Sequence, residues 1–337
     1  MMDGKERTIR TLKFNKPDRI PLNLWVHNAA ALKYGKKLEA VLDAHPQDIV
    51  RLYGPMDRAF YDVTYIPGTY TDEWGSTWQV LQAGMVGEVK VPALQDLSKT
   101  KEYKLPLHLL RPEWEARGDS VQKKIEQARK NGQFIFGGQI EVFQRMQFIR
   151  GTENLFYDLG ERDDNLCLLR DKVSEYFHAY LDHWLPMDVD ALTFYDDWGS
   201  QLALLISPAM WREIFKPAYR EFVDRVHQAG KYAFFHCDGN ILALYPEFID
   251  LGLDAVNSQV WCIGLDKAAA FAGKMTFWGE VDRQHTLAFG SAADVRSSIR
   301  LMKEKLYRDG GLIGQSVAGV DVPLESIEVL LTAWNEE

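Results

Sequence analysis

Eight short runs rich in apolar and β-forming residues punctuate the chain, with helix-forming stretches between them. They are IPLNLWVH (20–27), YDVTYI (61–66), FIFGGQ (134–139), DALTFYDDW (190–198), YAFFHCDG (232–239), DAVNSQV (254–260), MTFWGEVD (275–282) and GLIGQSV (311–317). Strands separated by helices line up in parallel, each helix crossing back over the sheet face. Eight such units in 337 residues fit one α/β domain over residues 1–337, a (β/α)8 TIM barrel, with a doubly wound open sheet as the alternative.

The helix signals agree. In SPAMWREIFKPAYREFVDRVHQAG, Ser207 is placed to cap, Pro208 suits the first turn, Pro217 predicts a kink and Gly230 a stop. SAADVRSSIRLMKEKLYRDGG repeats the pattern, with Ser291 as cap and Gly310-Gly311 as stop. VPLESIEVLLTAW predicts a closing helix. Residues 67–120, rich in Gly, Asp, Trp and Tyr, are too long for a bare loop and predict a β-hairpin excursion over the barrel mouth after the second strand.

Composition narrows the partners. With 39 basic and 48 acidic residues, net −9, and no basic block, neither nucleic acid nor an anionic membrane is an expected partner. Cys167, Cys237 and Cys262 are odd in number and form no CxxC pair, which argues against a disulfide framework or a zinc ribbon and for a reducing compartment. The N-terminus is charged, and no window approaches the ~18 apolar residues of a membrane span. A soluble, cytoplasmic protein is expected.

Six of the runs finish in polar or ionisable residues: His27; Gln139 and Glu141; Tyr195, Asp196 and Asp197; His236, Cys237 and Asp238; Asn257 and Gln259; Glu280 and Asp282. In a barrel these ends converge on one face, where such folds place their chemistry. Any single polar strand end is as readily explained by its leaving the core, but six together are harder to explain that way. Crowded carboxylates raise one another's pKa values, or are neutralised by a bound cation or a cationic substrate. Trp25, Tyr195, Trp198, Trp261 and Trp278 offer flat walls for a planar ligand, or barrel packing. Strand alternation sets His236 and Asp238 on one side and Cys237 on the other. The HxD pair suits a divalent metal, zinc or a harder ion, or a His–carboxylate acid/base unit. A third ligand has to come from another strand, with Glu141, Asp196 or Glu280 as candidates.

KPDRIPL, TDEWGSTW, TFYDDWGSQ, SPAMWREIFKPAY, FFHCDGN, LGLDAVN and VPLESI, in that order, resemble the uroporphyrinogen decarboxylase-like superfamily from about residue 5 to 334. The resemblance implies a (β/α)8 barrel of one of two kinds. One is a cofactor-free decarboxylase of tetrapyrrole biosynthesis; the other is a methyltransferase exchanging a methyl group with a corrinoid protein. The first strand, LWVHNAA, lacks the arginines of the decarboxylase's RQAGR-type motif, and GQSVAGV replaces its GHGI-type motif. Thiol-methylating members carry His-x-Cys on the fifth strand and a second Cys near the eighth. Here His236 matches, Asp238 stands for the first Cys and Ser316 lies near the second, so both soft ligands are missing and the HxDG form resembles O-demethylase-like members.

The resemblance therefore implies methyl transfer between a small methoxylated or methylated substrate and cobalamin on a separate corrinoid protein, with a homodimer among the admissible assemblies. In that scheme His236 and Asp238 hold the metal or acid, Asp196 or Asp197 supplies a proton, and Glu280 and Asp282 set the pocket's charge. Trp25, His27, Gln139, Glu141, Tyr195, Trp198, Asn257 and Gln259 bind substrate. A decarboxylase and a non-catalytic ligand-binding barrel are the alternatives.

Overall fold

The computed structural model describes residues 2–52 and 65–336. Its strands are β1 (Leu22–Val26), β2 (Ile49–Leu52), β3 (Gly68–Thr71), β4 (Thr77–Val80), β5 (Glu88–Val91), β6 (Phe134–Ile140), β7 (Ala191–Tyr195), β8 (Tyr232–Cys237), β9 (Ala255–Ser258), β10 (Thr276–Gly279) and β11 (Leu312–Ala318). Eight of them form one parallel sheet in the order β1-β11-β10-β9-β8-β7-β6-β2. Its two ends meet. At this seam side chains supplement the backbone: Asp48 N donates to Leu22 O at 3.1 Å, Leu22 N to Asp48 Oδ2 at 2.8 Å and Leu24 N to Gln47 Oε1 at 2.7 Å. The barrel is nearly closed, as a (β/α)8 architecture requires.

The second strand differs from expectation. In the sheet it is Ile49–Leu52, whose short run is broken by Arg51; of YDVTYI, residues 61–64 lie outside the described residues. The excursion also differs. β3, β4 and β5 make a three-stranded antiparallel sheet rather than a hairpin, and residues 107–120 belong to the helix Leu107–Lys130. Pro112 and Gly118 inside that helix disguise it in sequence.

Two tiers fill the barrel. Ile49, Phe134, Phe136, Ala191, Phe234, Ala255, Trp278 and Ile313 form an apolar plug, and the rings of Phe136, Phe234 and Trp278 lie 4.7–5.2 Å apart. Truncating one of these phenylalanines to alanine costs about 3–5 kcal/mol. Below the plug the helix Gly4–Leu12 packs Ile9 and Leu12 against it, anchored by ion pairs from Arg7 to Asp18 and Asp48. Polar residues begin above.

The crossover helices behave as their sequence signals predict. Ser207 Oγ accepts from Met210 N, and Pro217 splits the segment into Pro208–Ile214 and Lys216–Gln228. Ser291 and Asp294 form a reciprocal capping box on Ala292–Leu306. Among the described residues no helix is long and apolar enough to cross a membrane.

Candidate active site

Alternation along the strands decides which side chains reach the upper tier. Asn23 and Trp25 enter from β1, Arg51 from β2, Thr193 and Tyr195 from β7, His236 from β8, Asn257 from β9 and Gln315 from β11. A positive-φ Gly138 shifts the β6–β7 register and turns Gln139 toward Arg51, which donates to it at 3.0 Å. Trp25, Tyr195, Arg51, Asp197 and His236 line one cleft at this end of the barrel.

His236 sits between aromatic rings, 5.1 Å from Trp25 and 4.8 Å from Tyr195 by centroids. Its tautomer follows from its neighbours. Asn257 Nδ2 donates to the Trp278 carbonyl and, at 2.8 Å, to Gln315 Oε1, which leaves Asn257 Oδ1 facing His236 Nδ1 at 2.6 Å. Nδ1 must then be the protonated donor. Nε2, which makes no hydrogen bond among the described residues, presents its lone pair to Asp197 Oδ1 at 3.7 Å and Asp238 Oδ1 at 3.9 Å.

The two aspartates are tied together. Asp238 N donates to Asp197 Oδ1 at 2.8 Å, and Asn240 N to Ser200 O at 2.7 Å. Just beyond, the backbones of Gly199 and Gly239 cross so closely that a Cβ on Gly239 would lie 2.3 Å from Gly199 O, and one on Gly199 2.7 Å from Asp238 O. Burial, reinforced by Asp238, pushes the Asp197 carboxyl above its usual range, with His236 opposing. Arg283 donates to Asp238 Oδ2 and lies 3.7 Å from Glu280 Oε1. Burial lifts Glu280 to about 7. Glu280 Oε2 and Asp238 Oδ1 are buried without a hydrogen-bond partner.

Other expected site residues lie elsewhere. Asp196 is wholly buried and faces the helix layer, accepting from Gln144 N at 2.7 Å and from the Tyr219 hydroxyl, and burial lifts it to about 8. This placement does not suit a proton donor to substrate. Trp198 is also buried outside the barrel, stacked on Phe143 at 3.9 Å, and does not wall the cleft. Asp282 caps the following turn through Gln284 N and His285 N, and Gln259 accepts from Gly239 N; both border a smaller neighbouring cavity with Glu280. Glu141 binds Gln139 and Arg145, and neither it nor Glu280 joins the group formed by Asp197, His236 and Asp238. His27 lines the cleft, its pKa lowered by burial and then by Arg283. Cys237 is buried on the opposite side from His236, its Sγ accepting from Trp198 N at 3.1 Å.

The mouth is therefore less acidic than expected, because Asp196 turns away and three arginines enter. Arg51 escaped sequence reasoning because its own charge breaks the apolar run of its strand, and Arg145 because it lies on the helix Val142–Arg150. Arg283 was missed because it follows its strand by four residues, and Gln315 because it stands in mid-strand.

Asp197, His236 and Asp238 offer one ligand atom each within 4.8 Å of one another. A free imidazole lone pair and an orphaned carboxylate oxygen are what a divalent cation fits, and one nitrogen with two oxygens is a harder set than thiolates.

A solved methyltransferase from Methanosarcina mazei superimposes with a TM-score of 0.74 at 16% identity, covering 100% of this chain and 99% of that one, and so shares its fold. A D-psicose 3-epimerase solved in the presence of D-fructose matches at a TM-score of 0.43 and 12% identity, covering 93% and 95%. No curated protein matches. The profile described as Uroporphyrinogen decarboxylase (URO-D) matches residues 108–336, more than half of the sequence, and the chain belongs to that family.

Proposed function

We propose that this barrel is a methyltransferase, moving a methyl group from a heteroatom of a small planar substrate to a corrinoid held by a separate protein. The observation that carries the reading is the His236 Nε2 lone pair, turned by Asn257 toward Asp197 and Asp238 on the wall of an aromatic cleft. The likeness in fold to a methyltransferase supports it. Asp197, His236 and Asp238 would hold a divalent cation, zinc or a harder ion, which when bound supplies Lewis acidity to the leaving heteroatom.

The chain's own residues prepare that position. Asn257 holds the imidazole in the ligating tautomer. Arg283 donates to Asp238 Oδ2 and so fixes that carboxylate's orientation, leaving Oδ1 toward His236. Glu280 holds its proton up to about pH 7, so it adds no further negative charge beside Asp238 below that pH. Trp25 and Tyr195 present ring faces that orient a planar substrate and exclude water around His236. Asp196 fixes the backbone that carries Asp197 by capping the helix Val142–Arg150.

Metal analysis of the purified protein, followed by cobalt absorption after mixing with a methoxylated aromatic and cob(I)alamin, tests the reading. Bound metal and a spectral change that His236→Ala abolishes are expected. Absence of both, or formation of coproporphyrinogen from uroporphyrinogen, refutes it.

A further inference from the structure

Charge is distributed unevenly around the cleft. Tyr195 on β7 has His236 on β8 to one side, with Asp197 and Asp238, and β6 and β2 to the other. On that second side a polar chain runs from Arg51 to Gln139, from Gln139 to Glu141 at 3.1 Å, and from Glu141 to Arg145. Arg145 is compensated, by Glu141 and by Asp72 at 3.9 Å. Arg51 is not.

Its guanidinium donates to Gln139 Oε1, to Thr193 Oγ1 at 3.4 Å and to the Tyr195 hydroxyl, and lies 4.3 Å over the Tyr195 ring and 5.6 Å from that of Trp25. Every one of these partners is neutral. Among the described residues no carboxylate pairs with Arg51, and its buried Nε has no acceptor. A guanidinium half withdrawn from water against an aromatic wall, with no counter-ion among the described residues, carries a desolvation cost in the free protein. The planar fork of a guanidinium matches a carboxylate, and the cost is offset when one arrives.

We infer that the substrate carries a carboxylate, which Arg51 receives on the β2–β6 side of the cleft while the ring lies along Trp25 and Tyr195. The ligand class is then a planar carboxylic acid, and the choice of a methoxylated ring rests on the function proposed above. The methyl-bearing heteroatom points toward His236, across Tyr195 from the anionic end. Arg51 is a binding and specificity residue in this scheme; it touches the far end of the substrate and takes no part in bond making.

The probes are 4-methoxybenzoate and its neutral isostere 4-methoxybenzamide, titrated calorimetrically into the full chain, its Arg51→Gln variant and its His236→Ala variant. A charge-assisted contact predicts that the wild type binds the benzoate about tenfold or more tightly than the amide. Arg51→Gln should remove that preference with its melting temperature little changed, and His236→Ala should keep it. Equal affinity for the two probes, a preference that survives in Arg51→Gln, or binding of neither would overturn the inference. A preserved preference without methyl transfer would sink the proposed function alone.

Discussion

Asn257→Ala tests how the site is held. The substitution removes the acceptor of His236 Nδ1 and the donor to both the Trp278 carbonyl and Gln315 Oε1, all three in a layer closed to solvent. Each hydrogen bond contributes about 1 kcal/mol net, and the stranded partners add to the cost, so a loss near 3 kcal/mol is expected, read by urea denaturation. The larger consequence is chemical. With nothing to hold the proton on Nδ1, it shifts toward Nε2, where Asp197 and Asp238 stand ready to accept it. Removing a group that orients a ligating histidine weakens metal binding about 10–100-fold, measurable by zinc competition against a chromophoric chelator. Asn257→Asp keeps an acceptor at Nδ1 and should preserve the tautomer. Histidine nitrogen chemical shifts report it directly: the wild type should show an unprotonated Nε2 and Asn257→Ala a mixture. A wild-type signal from a bare Nδ1, or undiminished zinc affinity in Asn257→Ala, would refute the reasoning.

Asp196, raised from 3.8 to about 8, binds its proton more tightly in the folded state, so the stability this gives is full below pH 4 and is lost as pH rises to about 8. Asp18, held at about 2 beside Arg7, acts only below that window, so denaturation of Asp196→Asn should follow a flatter pH profile than the wild type between pH 4 and 8; an unchanged slope would remove Asp196 as its source. Trp198→Ala should lower stability by about 3–5 kcal/mol while leaving ligand affinity in the surviving folded protein intact, because the indole packs on Phe143 and not on the cleft. Cys237→Ser should cost about 1–3 kcal/mol, with no change in metal content, since a hydroxyl can still accept from Trp198 N; metal loss would contradict the strand facing.

The barrel was legible because seven of its strands fall within β-rich runs that alternate with helix signals. The eighth, IVRL, was not, and Arg51 went unseen with it. Alternation separated His236 from Cys237 correctly. Carried along β7 it also separates Asp196 from its neighbours, since Tyr195 points inward and the next residue must point out. The same alternation returns Asp197 to the side of Tyr195, and both line the cleft. Asp282 illustrates the converse: a carboxylate at a strand end is as useful for capping a turn as for chemistry, and only its partners Gln284 N and His285 N distinguish the two. Arg145 and Arg283 come from segments beyond strands, where spacing says nothing about direction.

The glycine crossing makes one clasp of two motifs that look independent. DDWG and CDGN lie some forty positions apart, yet neither loop can take up its shape unless the other leaves room for it. Grafting one of them alone onto a related scaffold should therefore splay both aspartates, while transplanting the two as a matched set should carry the ligand geometry with it.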